Sequence, residues 1–197
     1  MNSIGWIVVL IIIASLFLLF FYEWAPPATE GDARTSVLED LNAKYDGNAE
    51  YEILSINENT PIEGEKGKYF TIKTRVTLNP ESSCPERIHL YYNYPEQGFV
   101  TQPPDYITKD CEICIDQPTC QLIFNEEAII ASHIIKGTDD ITQYLTQYLD
   151  AKATVSAPTT EQENWIVTWD STSADFYYIV ELTRNAELIN ISTNFKE

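Results

Sequence analysis

The segment Phe70-Thr71-Ile72-Lys73-Thr74-Arg75-Val76-Thr77-Leu78 has the clearest secondary-structure pattern in the chain. Its apolar and polar side chains alternate, and a period of two places them on opposite faces of a β-strand. Further strands are predicted from Glu50 to Ile56 and from Arg87 to Tyr94, with turn residues between them. A last short strand is predicted at 121–124. Several short strands separated by turns indicate a β-rich, sandwich-like region.

The chain after residue 124 is predicted to form two helices and then four strands. Asn125 is expected to cap the first helix and Thr138 the second. The second helix has an apolar face at helical spacing, made of Ile141, Tyr144, Leu145, Tyr148 and Leu149. The predicted strands are Ala153 to Ser156, Trp165 to Trp169, Phe176 to Leu182, and Glu187 to Ser192.

A helix followed by an antiparallel meander, with a Trp-x-Val-x-Trp strand in it, resembles the PepSY-like and cystatin-like α+β modules. The resemblance covers about residues 138–193, and the chain lacks the Asp-x-x-x-Gly ending that is common in PepSY repeats. Modules of that kind lie outside membranes and inhibit or escort a partner. The resemblance therefore implies an interaction role for this part of the chain.

The first part of the chain is dominated by an uncharged stretch from Ile4 to Tyr22. As a helix it would be about 28 Å long, close to the roughly 30 Å of a bilayer's hydrocarbon core. No Lys or Arg precedes it and no small-x-small site follows it, so a cleaved signal peptide is disfavoured. The sequence predicts one transmembrane helix at 4–22 and a carboxy-terminal domain outside the cytoplasm.

These patterns together predict an α+β fold with an amino-terminal transmembrane helix, a β-rich region, and a carboxy-terminal helix with a meander. The predicted divisions are an anchor at 1–23, a linker and short helix at 24–47, a disulfide-containing β-rich domain at 48–124, and an α+β domain at 125–197. The short helix is expected at about 36–45, because Ser36 and Glu39 form a capping-box pattern.

The formal net charge of −18 lies entirely after Tyr22. A polyanionic nucleic acid would be repelled by such a domain, so nucleic-acid binding is excluded as a leading function. The sequence has no metalloprotease, nucleophile-elbow or phosphate-loop motif. We therefore expect no enzymatic activity and no cofactor.

Four cysteines lie in one region of the chain: Cys84, Cys111, Cys114 and Cys120. In a domain outside the cytoplasm they predict two disulfides, and the sequence leaves three connectivities open. Two alternatives remain, a thioredoxin-like pair at Cys111 and Cys114 and a four-thiolate zinc site. Asp110 and Glu112 would raise the thiol pKa values, which disfavours the redox pair. Structural zinc sites usually carry two close-spaced pairs, whereas this chain has one.

Aromatic residues form the second group of candidate site residues, namely Tyr91, Tyr92, Tyr94, Phe99 and Tyr106. Tyrosines on strands beside a proline-rich loop are typical of a contact patch, since aromatic residues dominate binding hot spots. The alternative is that alternate members fill the core. The two histidines, His89 and His133, are expected to be ordinary packing or surface residues.

The resulting hypothesis is a non-enzymatic, single-pass membrane protein whose disulfide-tied domain contacts another protein outside the cytoplasm. Envelope assembly, adhesion or service as an accessory subunit would fit this description. The expected partners are the lipid bilayer, through residues 4–22, and an unidentified protein. The alternative hypothesis is a membrane-tethered thiol oxidoreductase or zinc-binding protein that uses the four cysteines.

Overall fold

The structure is a computed structural model that describes residues 11–15, 27–45, 47–60, 67–96, 101–115 and 117–196. The first half comprises α1 (Glu30–Lys44), β1 (Ala49–Asn59), β2 (Tyr69–Leu78), β3 (Glu86–Tyr94) and β4 (Asp105–Thr108). The second half comprises α2 (Asn125–Ile134), α3 (Asp139–Gln147), β5 (Lys152–Ser156), β6 (Trp165–Asp170), β7 (Phe176–Leu182) and β8 (Leu188–Phe195). Each half forms an antiparallel four-stranded sheet whose strands are neighbours in chain order.

The predicted α+β fold class is wrong. The described chain is mostly β, with two antiparallel four-stranded sheets and few, short helices. Within the described ranges, no helix combines the length and the apolar character that crossing a bilayer requires. The predicted span at 4–22 lies mainly outside the described residues, and of it only 11–15 are described, as helix. The β-rich, sandwich-like character and the two disulfides are confirmed.

The core of the first half lies between α1 and one face of the first sheet. Helix α1 places Ala33, Val37 and Leu41 at a spacing of four, so all three point to one side and are buried. They pack against alternate residues of β2, including Ile72 and Val76. Burial of this apolar stripe fixes the helix on the sheet.

Helix α1 begins earlier than the predicted 36–45. Thr29 is its N-cap: the Thr29 hydroxyl accepts a hydrogen bond from the Asp32 amide at 3.2 Å, and the Asp32 carboxylate accepts one from the Thr29 amide at 3.0 Å. Thr29 and Asp32 thus form the capping box at the start of the helix, a role that the sequence analysis assigned to Ser36 and Glu39. Residues 30–35, which the sequence analysis assigned to the linker, are therefore helical.

The core of the second half is larger and more aromatic. Trp169 is fully buried, and its indole Nε1 donates a hydrogen bond to the Ser132 hydroxyl of α2 at 2.8 Å. Ile141 and Tyr144 of α3 are buried against the same cluster, which confirms the apolar face of that helix in part. Leu149 is 91% exposed, because α3 ends at Gln147.

The junction between 121 and the start of α2 differs from its prediction. Residues 121–124 form no strand, and the Leu122 amide instead donates a hydrogen bond to the carbonyl of Arg184. The N-cap of α2 is Phe124 and not Asn125. The Glu127 carboxylate accepts hydrogen bonds from the amides of Ile123 and Phe124 at 2.8 and 3.0 Å, which satisfies amides that precede the helix. The four strands predicted after residue 150 are confirmed to within a few residues.

The two halves contact each other through a buried ion pair. The Arg87 guanidinium of β3 is 3.1 Å from the Glu126 carboxylate of α2, and both side chains are about 10% exposed or less. The Thr77 hydroxyl donates to the same carboxylate at 2.9 Å, and the guanidinium lies 3.7 Å from the centre of the Phe124 ring. A buried pair is costly to break, because removing one partner leaves an uncompensated charge.

Candidate functional site

The four cysteines form two disulfides, Cys84–Cys111 and Cys114–Cys120. This is one of the three connectivities that the sequence left open. The thioredoxin-like pairing is absent, since Cys111 and Cys114 belong to different bridges. The first bridge ties the turn before β3 to the segment after β4, whereas the second joins two cysteines that are only six positions apart in the sequence.

The residues of the predicted aromatic patch do not share one surface. Tyr91 lies opposite Lys73 in the sheet register, whereas Tyr94 lies opposite Phe70 on the face that packs against α1. Tyr92 is on that second face too, opposite Ile72. Tyr106 of β4 pairs with Ile88 and is 43% exposed. Phe99 lies outside the described residues. Whether Tyr91, Tyr94, Phe99 and Tyr106 bind a partner stays a prediction.

The other face of the first sheet is polar and carries a cleft. Directly opposite residues of β2 and β3 share a face, and on this face Lys73 lies opposite Tyr91, Arg75 opposite His89, and Thr77 opposite Arg87. The cleft has a volume of about 410 Å³. Hydroxyl and amide groups line it around Lys73 and Tyr91, from Ser55, Asn57, Thr71, Asn93, Thr101 and Gln102. We call it the Lys73 cleft.

Two contacts fix the Tyr91 ring at the wall of the Lys73 cleft. Its hydroxyl donates a hydrogen bond to the Asp105 carboxylate of β4 at 2.5 Å. Burial, together with this carboxylate, raises the pKa of Tyr91 to about 12. The Lys73 ammonium lies 5.5 Å from the ring centre, within the range of a cation–π contact. Tyr91 is therefore a neutral, oriented ring at neutral pH.

Lys73 differs from the cations next to it in having no carboxylate partner. Lys68 forms an ion pair with Glu58 at 2.6 Å, and Arg75 forms one with Glu52 at 3.5 Å. In the part of the chain that the structure describes, no carboxylate lies within ion-pair distance of Lys73. Its positive charge therefore remains available to a ligand.

His89 continues the polar face beyond the cleft and is buried. Burial, followed by the positive charges of Lys73 and Arg87, lowers the pKa of His89 to about 4. The Arg87 Nε–H donates to His89 Nε2 at 3.3 Å, which places the imidazole proton on Nδ1. His89 is therefore a neutral acceptor at neutral pH.

The chemistry of the Lys73 cleft is suited to binding. Its hydroxyl, amide, phenol and ammonium groups donate and accept hydrogen bonds. The arrangement would orient an acidic or polar group of a ligand against an aromatic wall.

Sequence reasoning missed the residues that make this face distinctive. Lys73 was predicted only as a polar position of a strand, and Glu126 and Glu127 lie in the helix that Asn125 was expected to cap. Glu127 is fully buried, and burial raises the pKa of its carboxyl group. Arg87 and Glu126 are separated by 39 residues, so no local pattern indicates their contact. The one local signal was that β2 and β3, the two central strands, both carry positively charged residues on their polar faces.

Comparisons with protein-family models, with curated proteins and with solved structures found no match to this chain.

Proposed function

We propose that this protein is a non-enzymatic contact protein that works outside the cytoplasm and is held at a membrane. Its partner is a protein that places an acidic group in the Lys73 cleft. The observation that carries this proposal is the charge of Lys73, which has no carboxylate partner among the described residues although the chain has a net charge of −18. In so acidic a protein, an uncompensated cation beside an oriented tyrosine is a specific attraction for a complementary acid.

The geometry of the cleft supports a macromolecular partner. The cleft lies on a sheet face with Asn57 and Ser55 of the edge strand β1 on one side. Both side chains are exposed, so a surface that covers the cleft would also contact this strand. An acidic side chain bound to Lys73 would be surrounded by amide and hydroxyl donors. Such contacts give specificity as well as affinity.

The location in this proposal is supported by the disulfides and by the amino-terminal sequence. Disulfides persist in oxidising compartments, and all four cysteines are paired. The uncharged stretch from Ile4 to Tyr22 supports attachment to a membrane. The similarity of residues 138–193 to PepSY-like and cystatin-like modules favours an inhibiting or escorting role for the second half. The alternative, a thiol oxidoreductase with a reactive Cys111–Cys114 pair, gains no support from the observed bridges.

The proposal is tested by photo-cross-linking in membranes of cells that produce the full chain. A photoreactive amino acid replaces Asn57 in the cleft or, as the matched control, Asn190 on β8; both asparagines are exposed and lie on strands. We expect a discrete protein adduct from position 57 and none from position 190. Lys73→Glu should abolish the adduct, whereas Lys73→Arg should preserve it. In the same preparation, the chain should stay with the membranes after an alkaline carbonate wash.

Three outcomes contradict the proposal. The first is an adduct that Lys73→Glu leaves unchanged, since the charge would then play no part. The second is equal cross-linking from positions 57 and 190, which would indicate unspecific proximity. The third is the absence of any adduct from position 57.

A further inference from the structure

One disulfide has a histidine beside it. His133 on α2 is buried, and its Nε2 lies 4.0 Å from the Sγ of Cys84. The same nitrogen is 2.8 Å from the Ser83 carbonyl, and the imidazole packs edge-on against the ring of Trp169 at 5.9 Å. These contacts fix the imidazole at the sulfur atoms. The two sulfurs and the His133 nitrogen all lie within 4.8 Å of one another.

Three separate segments supply these atoms. Cys84 lies in the turn before β3, Cys111 lies after β4, and His133 lies on the helix that covers the second sheet. Their packing at the junction of the two halves does not depend on the disulfide alone, because the buried Arg87–Glu126 pair joins β3 to α2 as well. The three groups should therefore stay close together after the sulfur–sulfur bond is broken.

We propose that Cys84, Cys111 and His133 form a zinc site when the Cys84–Cys111 disulfide is reduced. A dithiol reductant would break the sulfur–sulfur bond, giving two cysteine thiols and the oxidised, disulfide form of the reductant. Zn²⁺ would then displace one proton from each thiol and form two Zn–S bonds. The third protein ligand is His133 Nε2, which gives up its hydrogen bond to the Ser83 carbonyl. The imidazole proton moves from Nε2 to Nδ1 through water, so that the Nε2 lone pair binds the metal, and a water molecule completes a tetrahedron.

The geometry meets the requirements of zinc. Zn–S bonds of about 2.3 Å and Zn–N bonds of about 2.0 Å at tetrahedral angles place sulfur and nitrogen roughly 3.5 Å apart. The observed distance from Cys84 Sγ to His133 Nε2 is 4.0 Å, so a small shift suffices. Reduction moves the sulfurs apart towards the separation of about 3.8 Å that two zinc-bound thiolates need. Thiolate and imidazole are the donors that zinc prefers.

The second disulfide offers a control within the same chain. Cys114 and Cys120 also form a bridge, but among the described residues they belong to no group of three metal-binding side chains. A reduced Cys114 and Cys120 would provide only two thiolates. The proposal thus differs from a four-thiolate site, since it assigns the metal to two of the cysteines and to His133.

The test uses the full chain in detergent, reduced with an excess of a phosphine and then freed of it. Zn²⁺ alone is the probe in competition with a chromophoric chelator, and Co²⁺ is the spectroscopic substitute that reports thiolate and imidazole ligation. We expect one Zn²⁺ per reduced chain and none for the oxidised chain. Cys114→Ser with Cys120→Ser should leave the stoichiometry and affinity unchanged, whereas Cys84→Ser with Cys111→Ser should abolish binding. His133→Gln should weaken binding at least roughly tenfold, because even partners outside the ligand set contribute that much.

Several results overturn the proposal. Binding that survives the Cys84 and Cys111 substitutions assigns the metal to other groups. An unchanged affinity in His133→Gln removes the histidine from the site; folding of that variant is confirmed in its oxidised form by circular dichroism. A reduced wild-type chain that binds no zinc, or that loses its β-sheet signal, also refutes the proposal, because the folded frame is what brings the ligands together.

Discussion

The two halves of the molecule share a plan and differ in how they are held together. Each has a four-stranded antiparallel meander that follows one or two short helices. The second half has a large core of tryptophan, valine and isoleucine side chains beneath two helices. The first half has a smaller core beneath one helix, and its other sheet face is polar. The same topology is thus stabilised mainly by apolar burial in one half and by additional cross-links in the other.

This difference separates stability from recognition. A sheet buried on one face and polar on the other can expose charged groups without losing its core. The first sheet carries the Lys73 cleft on its polar face, and the Cys84–Cys111 bridge and the Arg87–Glu126 pair tie that sheet down. The second half, in contrast, buries Trp165, Trp169 and Tyr144 in its core. We infer that the first half is the more strongly constrained by single cross-links and the second by its core.

The largest effect should come from the second core. Trp169→Ala removes a fully buried indole and its hydrogen bond to Ser132, so we expect a loss of about 4 kcal/mol in the free energy of unfolding. Because each half has its own core, amides of β6 should lose protection from hydrogen exchange before those of β2. Val76→Ala in β2 and Val167→Ala in β6 form a matched pair, since both valines are fully buried. Each should deprotect its own sheet first.

Hydrogen exchange in moderate urea measures these losses residue by residue. If all three variants reduce protection of β2 and β6 equally, the halves unfold as one cooperative unit and the comparison between them fails. Circular dichroism of each variant in buffer verifies that it starts from a folded state. The wild-type chain provides the reference protection.

The next effect should come from the disulfides. The Cys84–Cys111 bridge spans 27 residues and Cys114–Cys120 spans six, so loop-closure entropy predicts stabilisation of about 3–4 and about 2 kcal/mol. We expect Cys84→Ser with Cys111→Ser to destabilise the chain more than Cys114→Ser with Cys120→Ser. Urea unfolding without reductant measures both double variants. A larger loss for the short bridge would show that loop length does not govern these two cross-links.

The strands could be predicted because the alternation of apolar and polar residues in each strand is a local feature of the sequence. The alternation of Phe70, Ile72 and Val76 is visible in any nine-residue window, and the burial of these residues follows it. Helix ends were less predictable: Thr29 with Asp32 and Ser36 with Glu39 are equally good capping patterns. The choice depends on which start brings Ala33 onto the sheet, and that is a tertiary contact.

The candidate site was predictable only in part, for the same reason. The cysteines identified the disulfides, but their pairing depends on which segments the sheets bring together. His133 has no sequence signal that connects it to Cys84, which lies 49 residues away. Likewise, the alternation in β3 separates Tyr91 from Tyr94 only when the register with β2 is known. Contacts between residues that are far apart in the sequence thus cannot be predicted from local patterns.

The last effect should be a pH dependence that arises on the polar face of the first sheet. Burial and the charges of Lys73 and Arg87 keep the pKa of His89 at about 4, against 6.5 in an unfolded chain, and the carboxylates of Asp105 and Glu126 oppose this only partly. Above pH 6.5 the imidazole is neutral in both states, and its full contribution to stability is present. As the pH falls from 6.5 to 4, the unfolded chain binds a proton that the folded chain does not. Stability is then lost with a slope of at most about 1.4 kcal/mol per pH unit.

His89→Gln isolates this contribution, because its amide oxygen can still accept the hydrogen bond from Arg87 Nε while the side chain does not titrate. Urea unfolding of both proteins at pH 7, 5.5 and 4 is the measurement. We expect the variant to lose less stability than the wild type over this range, with the difference growing as the pH falls. Parallel pH profiles would mean that the imidazole is protonated equally in the folded and unfolded states. In that case, neither burial nor the charges of Lys73 and Arg87 would depress the pKa of His89, and the positive potential inferred for this face would be contradicted.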